Sequence, residues 1–95
     1  MAAELLIDER HVLDLRMFVE IVVWRLPRVS QGSKHRFKYR LALVSDGICV
    51  LRYDNEAGKG DHLHVGDVEA PYTFVDTDRL LADFWRAVEE WRRSR

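Results

Sequence analysis

Cys49 is the only cysteine in the chain, so an internal disulfide and a thiolate metal site are both excluded. Nothing therefore calls for an oxidising compartment. No apolar run approaches the roughly 20 residues that span a bilayer. The opening MAAELLIDER lacks the basic start and apolar centre of a signal peptide. A cytoplasmic protein without a membrane segment is expected. Acid is missing too, but locally: between Glu20 and Asp46 there is no Asp or Glu, whereas Arg25, Arg28, Lys34, Arg36, Lys38 and Arg40 all fall there. A net charge of −1 hides this patch of six cations, which suits a polyanionic partner: RNA, DNA or an acidic protein segment.

What the chain does have is the material for one small domain over residues 1–95, with 47% hydrophobic and 33% charged residues. Glu4 to Leu15 and Phe18 to Leu26 read as strands, the second stopped by Pro27. From His35 to Leu41 the alternation is strict: His35, Phe37, Tyr39 and Leu41 point one way, Arg36, Lys38 and Arg40 the other. Asp46-Gly47 is a two-residue hairpin signal. A regular register from that turn pairs Ser45 with Ile48, Leu41 with Arg52, Arg40 with Tyr53 and Tyr39 with Asp54, and leaves Cys49 among apolar neighbours in the core. The hairpin's open end, rich in Arg36, Lys38, Tyr39, Arg40, Arg52 and Asp54, is expected to leave the core.

Gly66-Asp67 marks another turn, and Pro71 to Val75 an edge strand. Asp76 then caps a helix, with Val75 stapled onto Leu80. Leu80, Leu81, Phe84, Trp85, Val88 and Trp91 form its apolar stripe, with acids early and arginines late along the macrodipole. The expected class is α+β: a mainly antiparallel sheet with a C-terminal amphipathic helix packed on one face.

Polar side chains collect between Leu51 and Val65 (LRYDNEAGKGDHLHV). His62 and His64, two apart on a strand, share a face and titrate near neutrality, so they can serve one substrate as acid and base. They could also ligate a metal with Asp54 or Asp61, although no spacing here matches a zinc pattern. Gly58-Lys59-Gly60 lacks the Walker arrangement but can present backbone N–H groups and an ammonium to an anion. Arg52 beside Asp54 reads as an ion pair or, in a catalytic setting, as a phosphate clamp and a histidine orienter. Arg36, Lys38 and Arg40 suit a nucleic-acid backbone, with Tyr53 free to stack on a base.

At these residues the sequence resembles the TumE family of bacterial toxin–antitoxin proteins. The resemblance rests on Lys38-Tyr39-Arg40, on Val50-Leu51-Arg52-Tyr53-Asp54-Asn55, on Gly58-Lys59-Gly60-Asp61-His62-x-His64 and on Leu80-x-x-Asp83-Phe84-Trp85. It implies a toxin encoded beside a helix-turn-helix antitoxin. It carries over no catalytic assignment.

The expected function is thus a toxin of a toxin–antitoxin pair, acting as a metal-independent endoribonuclease without a cofactor. His62, His64, Lys59, Arg52, Asp54 and Tyr39 form the candidate catalytic set, and Arg36, Lys38, Arg40 and Tyr53 the RNA-binding set. A non-catalytic module that binds nucleic acid or antitoxin through the basic hairpin is the alternative. A homodimer would suit that hairpin and the aromatic-rich helix.

Overall fold

The computed structural model describes residues 2–29, 33–56 and 60–94, of Glu56 the backbone alone. Among these residues six strands run in sequence order as one antiparallel meander: β1 (Glu4–Asp14), β2 (Met17–Arg25), β3 (Phe37–Ser45), β4 (Ile48–Glu56), β5 (Gly60–Val65) and β6 (Val68–Pro71). One helix, α1 (Thr77–Arg93), follows and lies across one face. The α+β class expected from the sequence is the one observed.

The elements form where local chemistry favours them. Asp46 and Gly47 take φ of 51° and 77°, the left-handed pair a two-residue hairpin needs. Gly66 does the same between β5 and β6 at 59°. The Asp76 carboxylate accepts the backbone N–H of Arg79 at 2.7 Å and so satisfies one open donor of the first helical turn. The edge strand, however, is Val68–Pro71 rather than 71–75. Val75 stays 64% exposed while Leu80 is fully buried, so the expected staple contributes little.

The core lies between sheet and helix. Val19, Ile21 and Val23 from β2, Tyr39, Leu41 and Leu43 from β3, Leu51 and Tyr53 from β4, and Leu80, Phe84 and Val88 from α1 are buried together. Their alternation follows the period-2 pleat on the strands and the 3.6-residue repeat on the helix. Phe84 meets the Tyr53 ring edge-on at 5.8 Å, an arrangement aromatic quadrupoles favour.

The β3–β4 register departs from a regular hairpin. Ser45 pairs with Ile48 and Val44 with Cys49, but Leu43 then pairs with Leu51, and Val50 is the surplus residue of a bulge. Every later pair moves by one: Ala42 faces Arg52, Leu41 faces Tyr53 and Arg40 faces Asp54. Because partners directly opposite share a face, the expected grouping of Arg52 and Asp54 with Tyr39 is overturned. Tyr39 and Tyr53 turn toward α1, and Arg52 and Asp54 toward the other face. Cys49 is exposed, not core, because it stands with Val44 on the face that α1 leaves uncovered.

The hairpin's open end does not leave the core either. Tyr39 is 2% exposed and Tyr53 7%, covered by the segment between β6 and α1. Phe74 stacks on His35 at 3.9 Å and lies 5.8 Å from Tyr39, while Tyr72 meets Tyr53 at 5.1 Å. Asn55 completes the ladder there with its side chain, accepting the Tyr39 N–H at 2.9 Å and donating to the Phe37 carbonyl at 2.8 Å.

Candidate active site

The face of the sheet away from α1 carries a compact cluster built by β4 and β5. Asp54 pairs with His62 and Arg52 with His64, so all four side chains project to the same side in two adjacent rows. The His62 Nε2 atom lies 2.8 Å from Asp54 Oδ1. Arg52 Nε lies 3.0 Å from Asp54 Oδ2, and His64 Nε2 lies 3.0 Å from Glu69 Oε2 across the β5–β6 pair. The two imidazoles meet edge-on, centroids 5.0 Å apart.

Burial makes these contacts consequential. Asp54 is only 6% exposed, and the side chains of His62 and His64 are 12% and 23% exposed. Charges removed from water in this way interact more strongly than surface pairs and must find partners. Yet Asp54 Oδ1, Arg52 Nε and His64 Nε2 are buried without a hydrogen bond among the described residues. Their contacts are close in distance but not aligned for donation. On its other side His62 Nδ1 lies 3.2 Å from the Gly60 carbonyl, which fixes the ring's orientation. One oxygen of Asp54 and one ring nitrogen each of His62 and His64 lie within 4.8 Å of one another. Two imidazoles and a carboxylate so spaced could hold a divalent cation.

The opposite face holds a second polar group of different character. Asp61 accepts a hydrogen bond from the Tyr39 hydroxyl at 2.7 Å and contacts His35 Nε2 at 2.8 Å, beneath the Phe74 ring. Burial, and then the Asp61 carboxylate, push the Tyr39 phenol far above its ordinary range. Tyr39 is thus a buried donor on the helix side, and Asp61, one residue from His62, is kept from the histidine cluster by strand alternation.

Of the residues expected to act together, the fold unites His62, His64, Arg52 and Asp54, and separates Tyr39 from them. Lys59 and Gly58, of the loop expected to receive an anion, lie outside the described residues. Lys38 and Arg40 lie exposed on the same face as the cluster, Arg40 directly opposite Asp54. Arg36 precedes β3 and reaches the Pro27 carbonyl at 3.5 Å. Tyr53, expected to stack on a base, is buried against Tyr72 and Phe84 on the other face. Two neighbours on the face of the cluster are not apparent in the sequence. Glu69 was legible only through the β5–β6 register. Trp24, opposite Lys38 on β2, was not legible, because Val22, Val23 and Trp24 are all apolar and give no alternation.

A small antiparallel meander capped by one helix, with a histidine–carboxylate–arginine cluster on its uncovered face, is thus the class of protein the geometry defines. The chain belongs to the toxin TumE family, whose profile it matches over residues 2–92. Searches among curated proteins and among solved structures gave no match. Family membership supports a toxin role, and a toxin family implies an antitoxin partner only in general. Among the described residues no helix is long and apolar enough to cross a membrane.

Proposed function

We propose that this toxin is an endoribonuclease whose reacting centre is the Asp54–His62–His64–Arg52 cluster, working by proton transfer at histidine. The observation that carries the reading is the convergence of two imidazoles, an arginine and a buried carboxylate on one face, with Lys38 and Arg40 beside them. In this reading His64 takes the proton of a ribose 2′-hydroxyl. The 2′-oxygen then forms a bond to phosphorus as the bond to the 5′-oxygen breaks. His62 returns a proton to that leaving oxygen, so that a 2′,3′-cyclic phosphate and a 5′-hydroxyl result. The Gly60 carbonyl orients His62 through Nδ1, so the proton given up is the one on Nε2, Asp54 supports the positive charge of that ring, and Glu69 lies close enough to orient His64. Arg52 offsets charge growing on the phosphate. The reaction would take place in the cytoplasm, restrained by a helix-turn-helix antitoxin. The free outer edge of β1, eleven residues long, leaves room for a second copy.

A second reading draws on the same three ligand atoms. Asp54 Oδ1 and His64 Nε2, both buried and without a hydrogen bond among the described residues, are what a bound divalent cation would satisfy. Purified protein incubated with total RNA, with and without a chelator, separates the alternatives. Cleavage indifferent to chelator supports the acid–base reading, and cleavage lost with chelator supports the cation. RNA that stays intact yet shifts on a gel overturns both in favour of simple binding.

A further inference from the structure

Trp24 sits on β2 directly opposite Lys38, and Val22, two residues away on the same face, sits opposite Arg40. Together these four side chains border a hollow of about 220 Å³. The indole is one-third exposed, and no ring or cation covers it among the described residues. The other aromatic on this face of β2, Phe18, has the Arg10 guanidinium 3.9 Å above its ring. Trp85 is packed against Phe84 and His11. Lys38 and Arg40 are exposed and pair with no carboxylate among the described residues.

The hollow also has a fixed place relative to the cluster. Arg40 faces Asp54 on β4, and Asp54 faces His62 on β5. Three strand spacings therefore separate β2 from β5, about 14 Å. A flat apolar ring, two unpaired cations beside it and a reacting centre a short reach away match a single nucleic-acid strand. Its bases need a stacking surface and its phosphates need positive charge. A duplex, with its bases already stacked, could use the cations but not the ring.

We infer that Trp24, with Lys38 and Arg40, forms a stacking subsite for an unpaired RNA base a short reach along the strand from the bond that is cut. The subsite rests on the RNA reading above, but it concerns binding and is testable without cleavage. A ten-nucleotide single-stranded RNA, fully 2′-O-methylated so that it cannot be cut by attack of its own 2′-oxygen, serves as a fluorescent anisotropy probe. Trp24→Ala and Trp24→Leu should each weaken its binding by about 10-fold, the range of a lost base stack. Trp24→Phe, which keeps a flat ring, should stay within about threefold of the native protein. Binding of a double-stranded probe should not change. Circular dichroism confirms that each variant is folded, and the exposed strand position lets Leu and Phe stand in if the Ala variant fails to fold.

Native affinity in the Ala and Leu variants overturns the subsite. So does an equal loss in all three variants, which would mean packing rather than stacking. Undiminished RNA binding accompanied by lost binding of an acidic antitoxin peptide would reassign the hollow to the antitoxin. If the native protein binds the probe through Trp24 but leaves total RNA intact, the subsite stands and the proposed cleavage falls.

Discussion

Asp54 touches His62 through one carboxylate oxygen and Arg52 through the other, at 2.8 and 3.0 Å, while being almost sealed from solvent. A single buried carboxylate thus sets the position of both an imidazole and a guanidinium. Asp54→Asn keeps the shape but removes the charge. Cleavage of RNA should fall by at least about 100-fold, in the range seen when a histidine loses its orienting partner, with native circular dichroism. Unchanged activity in this variant would remove Asp54 from the mechanism.

His64→Ala should abolish both RNA cleavage and growth inhibition while the protein stays folded, since the side chain lies outside the core that α1 closes. The double variant His62→Ala/His64→Ala provides the stricter check, read by RNA integrity after incubation. Full cleavage there ends the histidine mechanism.

Alkaline stability should be limited by tyrosine. Burial, and then hydrogen bonding to Asp61, raises Tyr39, and burial with the Asp83 bond raises Tyr72 in the same direction. A group whose pKa is higher folded than unfolded gives its full contribution below the unfolded value, near 10, and loses it as pH climbs toward the folded value. Each such tyrosine should cost about 1.4 kcal/mol of stability per pH unit above roughly 10. Urea unfolding at several alkaline pH values should show this slope, and Tyr39→Phe should make it shallower.

At the acid end Asp83 acts in the opposite sense. Its burial favours the neutral acid, but hydrogen bonds from Tyr72 at 2.7 Å and Arg79 at 3.0 Å outweigh that and hold its pKa below the ordinary carboxylate value. Its contribution is present above about pH 4 and is lost as pH falls through the folded value. Asp83→Asn should therefore reduce the acid sensitivity of the midpoint for thermal unfolding. An identical pH profile in the variant would contradict this.

Asn55→Ala should destabilise the fold by about 2 kcal/mol or more, because it leaves the Tyr39 N–H and the Phe37 carbonyl unpaired inside the protein. Phe84→Ala should cost about 3–5 kcal/mol, as for other fully buried aromatics. Chemical denaturation measures both. A smaller loss for Asn55 than for an exposed control such as Ser94→Ala would show that the side chain is not bridging the ladder.

The reach of the sequence differed along the chain for physical reasons. Helix α1 was legible because cap, apolar period and charge gradient all agree within seventeen residues. The turns at Asp46-Gly47 and Gly66 were legible because left-handed backbone demands particular residue types. That His62 and His64 share a face followed from the pleat alone. The Val50 bulge was not legible: a surplus valine among Ile48, Cys49 and Leu51 changes neither hydropathy nor strand propensity. The burial of Tyr39 and Tyr53 was hidden too, since the rings that cover them, Phe74 and Tyr72, arrive from a part of the chain about 20 to 35 residues later. The bulge thus set Arg52, Asp54 and the histidines opposite them on the face of Lys38 and Arg40, where counting from the turn would have put Arg52 and Asp54 with Tyr39.

The surplus valine has a consequence for how this chain can diverge. It works as a phase adjuster: the stretch before it takes its parity from the turn, and the stretch after it takes its parity from the imidazoles on β5. A loop shortened or lengthened by one residue can be absorbed there by dropping or adding a single codon. Lineages of this toxin could thus reshape the tip of the hairpin freely while the reactive half of β4 stays in step.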